Sequence, residues 1–168
     1  AVARSRQGET GLPIVYANLV GGQDELVFDG ASFALNGDGE VAAQCPAWQE
    51  GLFYLELAGG TCTGPQHVLP GEEAAVYDAL VLAVRDYFGK NGFKGVHLGL
   101  SGGIDSALTL AIAVDALGAD KVHAVMLPYR YTSKDSLVDA AACAKALKLR
   151  YDNVAIGGPV EAIMASLS

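Results

Sequence analysis

No apolar run in this 168-residue chain approaches the ~18 residues that a membrane span requires, and no basic stretch precedes an apolar one near the N-terminus. No membrane role is expected. Cysteine is scarce: Cys45, Cys62 and Cys143 form an odd set without C-x-x-C or Cys/His spacing. That argues against a disulfide framework and a structural zinc, and for a reducing, cytoplasmic setting. Basic charge is also short, with 11 Lys and Arg against 19 Asp and Glu and a net charge of -8. Such a balance disfavours nucleic acid and anionic lipid as partners. The shortage is uneven, because residues 1–65 carry only Arg4 and Arg6 as basic side chains and the first lysine is Lys90. Two common phosphate-binding spellings, G-x-x-x-x-G-K-[ST] and G-x-G-x-x-G, are missing as well, which disfavours a P-loop kinase or a dinucleotide Rossmann site.

What is present is ordinary globular material, 51% apolar and 18% charged, with 21 glycines marking many tight turns. Length alone suggests roughly one domain, but the patterning suggests two. Residues 13–20, 25–30, 32–36, 40–44 and 52–58 read as short strands separated by turn signals such as Gly21-Gly22 and Asn36-Gly37-Asp38-Gly39. Residues 59–71, AGGTCTGPQHVLP, lie where the composition shifts and read as a linker. Beyond it, Val76, Leu80, Val84, Tyr87 and Phe88 have the spacing of one face of a helix spanning 72 to about 91. Strand and helix then alternate: 95–100 as a strand, a helix with Ile104, Leu108, Ala111 and Ile112 on one side, 121–128 as a strand, a helix capped by Thr132 or Ser133, and 150–156 as a strand. This order predicts a parallel sheet, whose ligands bind beyond the carboxyl ends of the strands, here near 99–106 and 127–133. The chain opens at Ala1 in a polar stretch and ends at Ser168 inside a helix-like segment, so an internal piece of a longer protein is expected.

Gly99-Leu100-Ser101-Gly102-Gly103-Ile104-Asp105-Ser106 falls between a predicted strand and a predicted helix. Adjacent glycines let the backbone approach an anion, and the first-turn N–H groups and the helix dipole favour its charge. Ser101 and Ser106 add hydroxyl donors. Asp105 beside a phosphate calls for an intervening cation, which makes it a candidate Mg²⁺ ligand. The competing reading is a plain strand-to-helix turn with serine capping.

The SGGIDS hexapeptide resembles the pyrophosphate-binding loop of the N-type ATP pyrophosphatases, shared by NAD synthetases, GMP synthetase and tRNA-thiolating enzymes. Two more stretches narrow the resemblance. VMLPYRYTSKDSLVDA (125–140) is similar to the segment after the second strand in NAD synthetases. NLVGGQDELVFDGASFALNGDGEVAAQ (18–44) is similar to the later part of the nitrilase-like domain of glutamine-dependent NAD synthetases. The resemblance implies an α/β fold. Residues 1–58 would be the C-terminal part of a nitrilase-like α/β sandwich (the glutaminase), 59–71 a linker, and 72–168 the first βαβαβ units of an adenine nucleotide alpha hydrolase-like parallel-sheet domain. It also implies a ligase that amidates deamido-NAD to NAD, with ATP and Mg²⁺ as cofactors, ammonia from glutamine, AMP and pyrophosphate as products, and a homo-oligomer in the intact parent. Gly99 to Ser106 would hold the ATP phosphates, with Asp105 on the metal. Met126, Leu127, Arg130 and Ser133 are further candidate contacts to the nucleotide.

A nitrilase-type glutaminase site needs Glu, Lys and Cys together, and no lysine stands before Lys90. The family's nucleophile position would fall before residue 1, so no catalytic residue is assigned and the chain alone is expected to be inactive. Cys45, Cys62 and Cys143 read as small apolar residues. Asp24, Glu25 and Asp29 read as a solvated turn, His97 and His123 as core histidines in buried strands, and Trp48 and Tyr54 as cover for a core face. A GMP synthetase-like pyrophosphatase and a nucleotide-binding module without turnover stay open as alternatives.

Overall fold

The computed structural model describes residues 2–167. Chain contacts divide it into two compact units, Ala1–Asp86 and Tyr87–Ser168, with the boundary falling inside one helix.

The first unit is β-rich. It begins with helix α1 (Val2–Thr10), followed by strands β1 (Ile14–Tyr16), β2 (Val20–Gln23), β3 (Leu26–Asp29), β4 (Phe33–Leu35), β5 (Val41–Gln44), β6 (Glu56–Ala58) and β7 (Thr61–Thr63). The antiparallel sheet runs β1-β4-β5, with Ile14 opposite Leu35 and Phe33 opposite Gln44, while β2-β3 and β6-β7 form separate pairs. Helix α1 lacks an apolar stripe, so periodicity does not reveal it. Polar reach holds it instead: Arg4 Nε donates to the Gly39 carbonyl and the buried Gln7 donates through Nε2 to the Gly37 carbonyl. The segment expected as one strand over 13–20 is two. Asn18 breaks it, its backbone N–H donating to Ser32 Oγ and its side chain to Asp29.

Strand β7 lies inside the stretch expected as a linker. Its turn is Gly59-Gly60, both at positive φ (58° and 82°), the conformation a two-residue hairpin requires. The small core of this unit, Ala34, Ala43 and Cys62, takes its third member from that strand, so Cys62 is indeed a small packing residue. Residues 52–55, by contrast, are not in a strand, and Tyr54 is 84% exposed rather than covering a core.

Helix α2 (Glu72–Asn91) matches its expected span, but its buried residues are Val81 and Leu82, whereas Val76, Leu80 and Tyr87 are exposed. The second unit continues with β8 (Val96–Gly99), α3 (Ile104–Leu117), a 3-10 turn (Ala119–Lys121), β9 (Val122–Met126), α4 (Lys134–Ala146), β10 (Arg150–Asn153) and α5 (Gly157–Ser166). The sheet is parallel in the order β10-β9-β8, with Val96 beside Val122 and Asn153 beside Met126. Alternate residues of β9, Val122, Ala124 and Met126, join Leu100, Leu110, Ala113, Ala140 and Ala144 in one buried cluster. Helices α3 and α4 therefore cover the same face of the sheet, because residues two apart on a strand share a face.

The opposite face carries a polar row. His97 Nδ1 lies 2.8 Å from His123 Nδ1, His123 Nε2 lies 2.7 Å from Asp152 Oδ2, and Arg150 Nη2 donates to the same oxygen at 2.9 Å. The two histidines are thus not core residues: His97 is exposed and His123 half-buried, since only one side of the sheet receives α3 and α4. The hydrogen bond from Arg150 holds the Asp152 carboxyl below the usual carboxylate range, burial partly opposes it, and the weaker hydrogen bond with His123 acts in the same direction as Arg150. A carboxyl depressed in the folded state stabilises above its unfolded value, and that contribution is lost as pH falls through the folded one. Asp152→Asn should flatten the acid limb of the melting temperature-against-pH profile relative to the parent chain. An unchanged acid limb would show that the row adds nothing to stability.

Candidate functional site

The site begins where β8 runs out. Leu100 continues the sheet by donating its N–H to the Val125 carbonyl at 2.9 Å, and its side chain is buried in the core, so only its backbone faces the site. Gly99 precedes it at the strand's end, and the chain then turns through Ser101, Gly102 and Gly103 into α3.

Two hydroxyls brace that turn. Ser106 Oγ donates to the Gly103 carbonyl at 2.9 Å and accepts the Ser101 N–H at 3.2 Å, while Ser101 Oγ accepts the Gly103 N–H at 3.3 Å and lies 3.1 Å from Ser106 Oγ. With the Ser106 proton committed to Gly103, the hydroxyl–hydroxyl contact is donated by Ser101. Both serines therefore serve the loop's shape rather than standing as free donors.

Gly102 supplies the conformation. Its φ is +83°, and a Cβ built there would meet the Ser136 carbonyl oxygen at 2.4 Å. The loop thus rests against the backbone of the first turn of α4, a fit open only to glycine.

The start of α3 is uncapped. Gly103 is its N-cap residue, in extended conformation, and no side chain accepts from the first turn. Helix α4 differs, since Ser133 is its N-cap and accepts the Ser136 N–H at 3.0 Å. Of the two cap residues expected, Ser133 is the one used, while Thr132 instead closes the preceding turn by accepting from the Tyr129 N–H. An uncapped helix start behind a glycine turn leaves N–H donors and the positive end of the dipole for an anion. Asp105 stands exposed in the first turn of α3 and Ile104 is 80% exposed beside it.

A cavity of about 500 Å³ opens next to the loop, lined by Gly99, Leu100, Ser101, Val125, Met126, Leu127, Tyr131, Thr132, Ser133 and Ser136. It unites the ends of β8 and β9 with the start of α4, the crevice where parallel sheets bind ligands. Met126, Leu127 and Ser133 from the sequence reading line it, but Arg130 does not. The Met126 carbonyl is already occupied by the Val154 N–H at 2.8 Å. Tyr131 and Thr132 lie within the stretch 127–133 where ligands were expected, without being named as contacts, whereas Val125, inside β9, and Ser136, in α4, fall outside the expected stretches.

In the first unit, a cavity of about 330 Å³ is lined by Cys45 and Glu50, among others. Burial pushes the Cys45 thiol up, the reverse of what an activated nucleophile needs. No group of three or more His, Cys, Asp or Glu able to hold a metal occurs among the described residues. No helix among them is long and apolar enough to cross a membrane.

A family model described as NAD synthase matches residues 76–168. The chain belongs to the NAD synthase family. A second family model, carbon-nitrogen hydrolase, matches residues 1–64. The chain is 51% identical to a glutamine-dependent NAD(+) synthetase of Rhodobacter capsulatus over 99% of its own length and 31% of the relative's. It is 50% identical to the corresponding protein of Acinetobacter baylyi over 92% of its length and 29% of the relative's. The solved glutamine-dependent NAD+ synthetase of Acinetobacter baumannii, in complex with adenosine diphosphate, is 45% identical with a TM-score of 0.95, over 99% of this chain and 32% of that one. The chain therefore spans about a third of the length of these relatives.

Proposed function

We propose that Gly99 to Ser106 is a nucleotide phosphate loop, and that this chain is a segment of a cytoplasmic ligase making NAD from deamido-NAD and ATP with ammonia from glutamine. The observation that carries this reading is the uncapped start of α3 behind a serine-braced turn at the mouth of the cavity. The ADP held by the Acinetobacter baumannii relative supports it. On this reading the first-turn N–H groups of α3 meet phosphate oxygens, and the cavity beside the ends of β8 and β9 receives the adenosine. In the parent reaction the loop would stabilise charge building on pyrophosphate as it leaves.

Asp105 fits a magnesium ligand. It is an exposed carboxylate in the first turn of α3, and Mg²⁺ is commonly held by one or two carboxylates plus substrate phosphates and water. When bound there, the ion would neutralise charge on the phosphates. Residues 1–58 are read as the carbon-nitrogen hydrolase part and 72–168 as the synthetase part. Glutamine hydrolysis is not assigned to any residue of this chain, since none of residues 1–64 is a lysine. A homo-oligomer of the parent, acting on small molecules and not on nucleic acid, completes the proposal.

Calorimetric titration of ATP tests the loop. Mg²⁺ should strengthen binding to the chain, and Asp105→Ala should remove that gain, a loss of about tenfold or more, while leaving metal-free binding intact. Absence of ATP binding to the unmodified chain would overturn the reading. The activity is tested in a full-length protein carrying this segment, by glutamine- and ATP-dependent formation of NAD with release of AMP and pyrophosphate.

A further inference from the structure

Residues 129–132 form a turn closed twice: the Tyr129 N–H donates to Thr132 Oγ1 at 3.0 Å, and the Thr132 N–H donates to the Tyr129 carbonyl at 2.9 Å. Arg130 and Tyr131 form its tip. The Arg130 guanidinium lies 5.2 Å from the Tyr129 ring centroid and 4.9 Å from that of Tyr131, and the two rings meet edge-on at 5.7 Å. Tyr131 lines the cavity beside the phosphate loop.

The charge on Arg130 is exposed yet taken by no carboxylate among the described residues, whereas Arg6 pairs with Glu9 and Arg150 with Asp152. In a chain with net charge -8, Arg130 lies against two tyrosine rings, one of which lines the cavity, and is a cation restrained on the turn beside it. A guanidinium whose position is already restricted loses less entropy on binding and matches phosphate oxygens with two parallel donors.

We propose that Arg130, held by Tyr129 and Tyr131, is a specificity-determining residue that pairs with the phosphate chain of the nucleotide at this site. The inference rests on the nucleotide reading above and adds the selection of phosphorylated over unphosphorylated adenosine. Its mark is an effect that grows with phosphate number.

The test compares adenosine, AMP, ADP and ATP by calorimetry on the whole chain and on Arg130→Ala and Arg130→Lys, each checked for an unchanged thermal melt. Arg130→Ala should leave adenosine binding as it is and weaken ATP by about tenfold or more, with AMP and ADP between. Arg130→Lys should recover part of the loss, keeping charge without the planar fork. ATP affinity unchanged in Arg130→Ala, or an equal loss on adenosine and ATP, would overturn the proposal while leaving the nucleotide reading standing. An unmodified chain that binds neither adenosine nor ATP overturns both.

Discussion

Gly102→Ala should abolish ATP binding and lower the thermal stability of the parallel-sheet unit. Two costs combine. An alanine forced to φ near +83° pays about 1–2 kcal/mol for left-handed backbone. Its methyl would also stand 2.4 Å from the Ser136 carbonyl oxygen and 2.8 Å from the Ser136 Cα, so either the loop lifts or the first turn of α4 shifts. Both movements open the cavity, because Ser101 and Ser136 line it together. Gly157→Ala is the control: nothing lies within 4 Å of its Cβ position and its φ is not positive, so it should be neutral or slightly stabilising. Differential scanning calorimetry and ATP titration of both variants decide the matter. A Gly102→Ala chain that melts and binds like its parent would mean that the loop does not depend on this contact.

Leu110→Ala should be the most destabilising single truncation in the same unit. Its side chain is 0% exposed within the cluster formed by α3, α4 and β9. Removing three carbons from such a position costs about 2–5 kcal/mol, from lost burial plus the cavity left behind. Domains commonly hold only about 5–15 kcal/mol in total, so the loss is a large share. Leu108→Ala, two residues earlier on the same helix, should cost less than about 1 kcal/mol, because that side chain is 50% exposed. Urea unfolding of both variants distinguishes them, and equal midpoints would contradict the packing described here.

That pair also shows where sequence reading and structure part. Periodicity put Ile104, Leu108, Ala111 and Ile112 along one side of α3, but the residues buried in that helix are Leu110, Ala113 and Ala116. The helix is apolar on nearly every side, so its pattern cannot choose a face, and the choice falls to where β9 and α4 lie. Helix α2 is a second case: its spacing announced a helix with the right ends, yet Val81 and Leu82 are buried in place of Val76 and Leu80. Helix α1 was invisible for a different reason, since nothing in its own sequence favours it over a polar coil and its hold comes from carbonyls about thirty residues away.

The sequence by itself determined the alternation of strand and helix after residue 72, the place of the Gly99–Ser106 loop between β8 and α3, and the family to which the chain belongs. These depend on local chemistry: period, turn residues and a hexapeptide that few other sites would spell. Only the tertiary structure decided that Ser101 and Ser106 brace the loop instead of standing as free donors, that Gly102 must be glycine because Ser136 is behind it, and that Arg130 lies against two tyrosine rings. It also moved His97 and His123 from an expected core to an open row with Asp152. Each of these rests on the distance between residues brought together by chain turns, and a linear pattern carries no record of that distance.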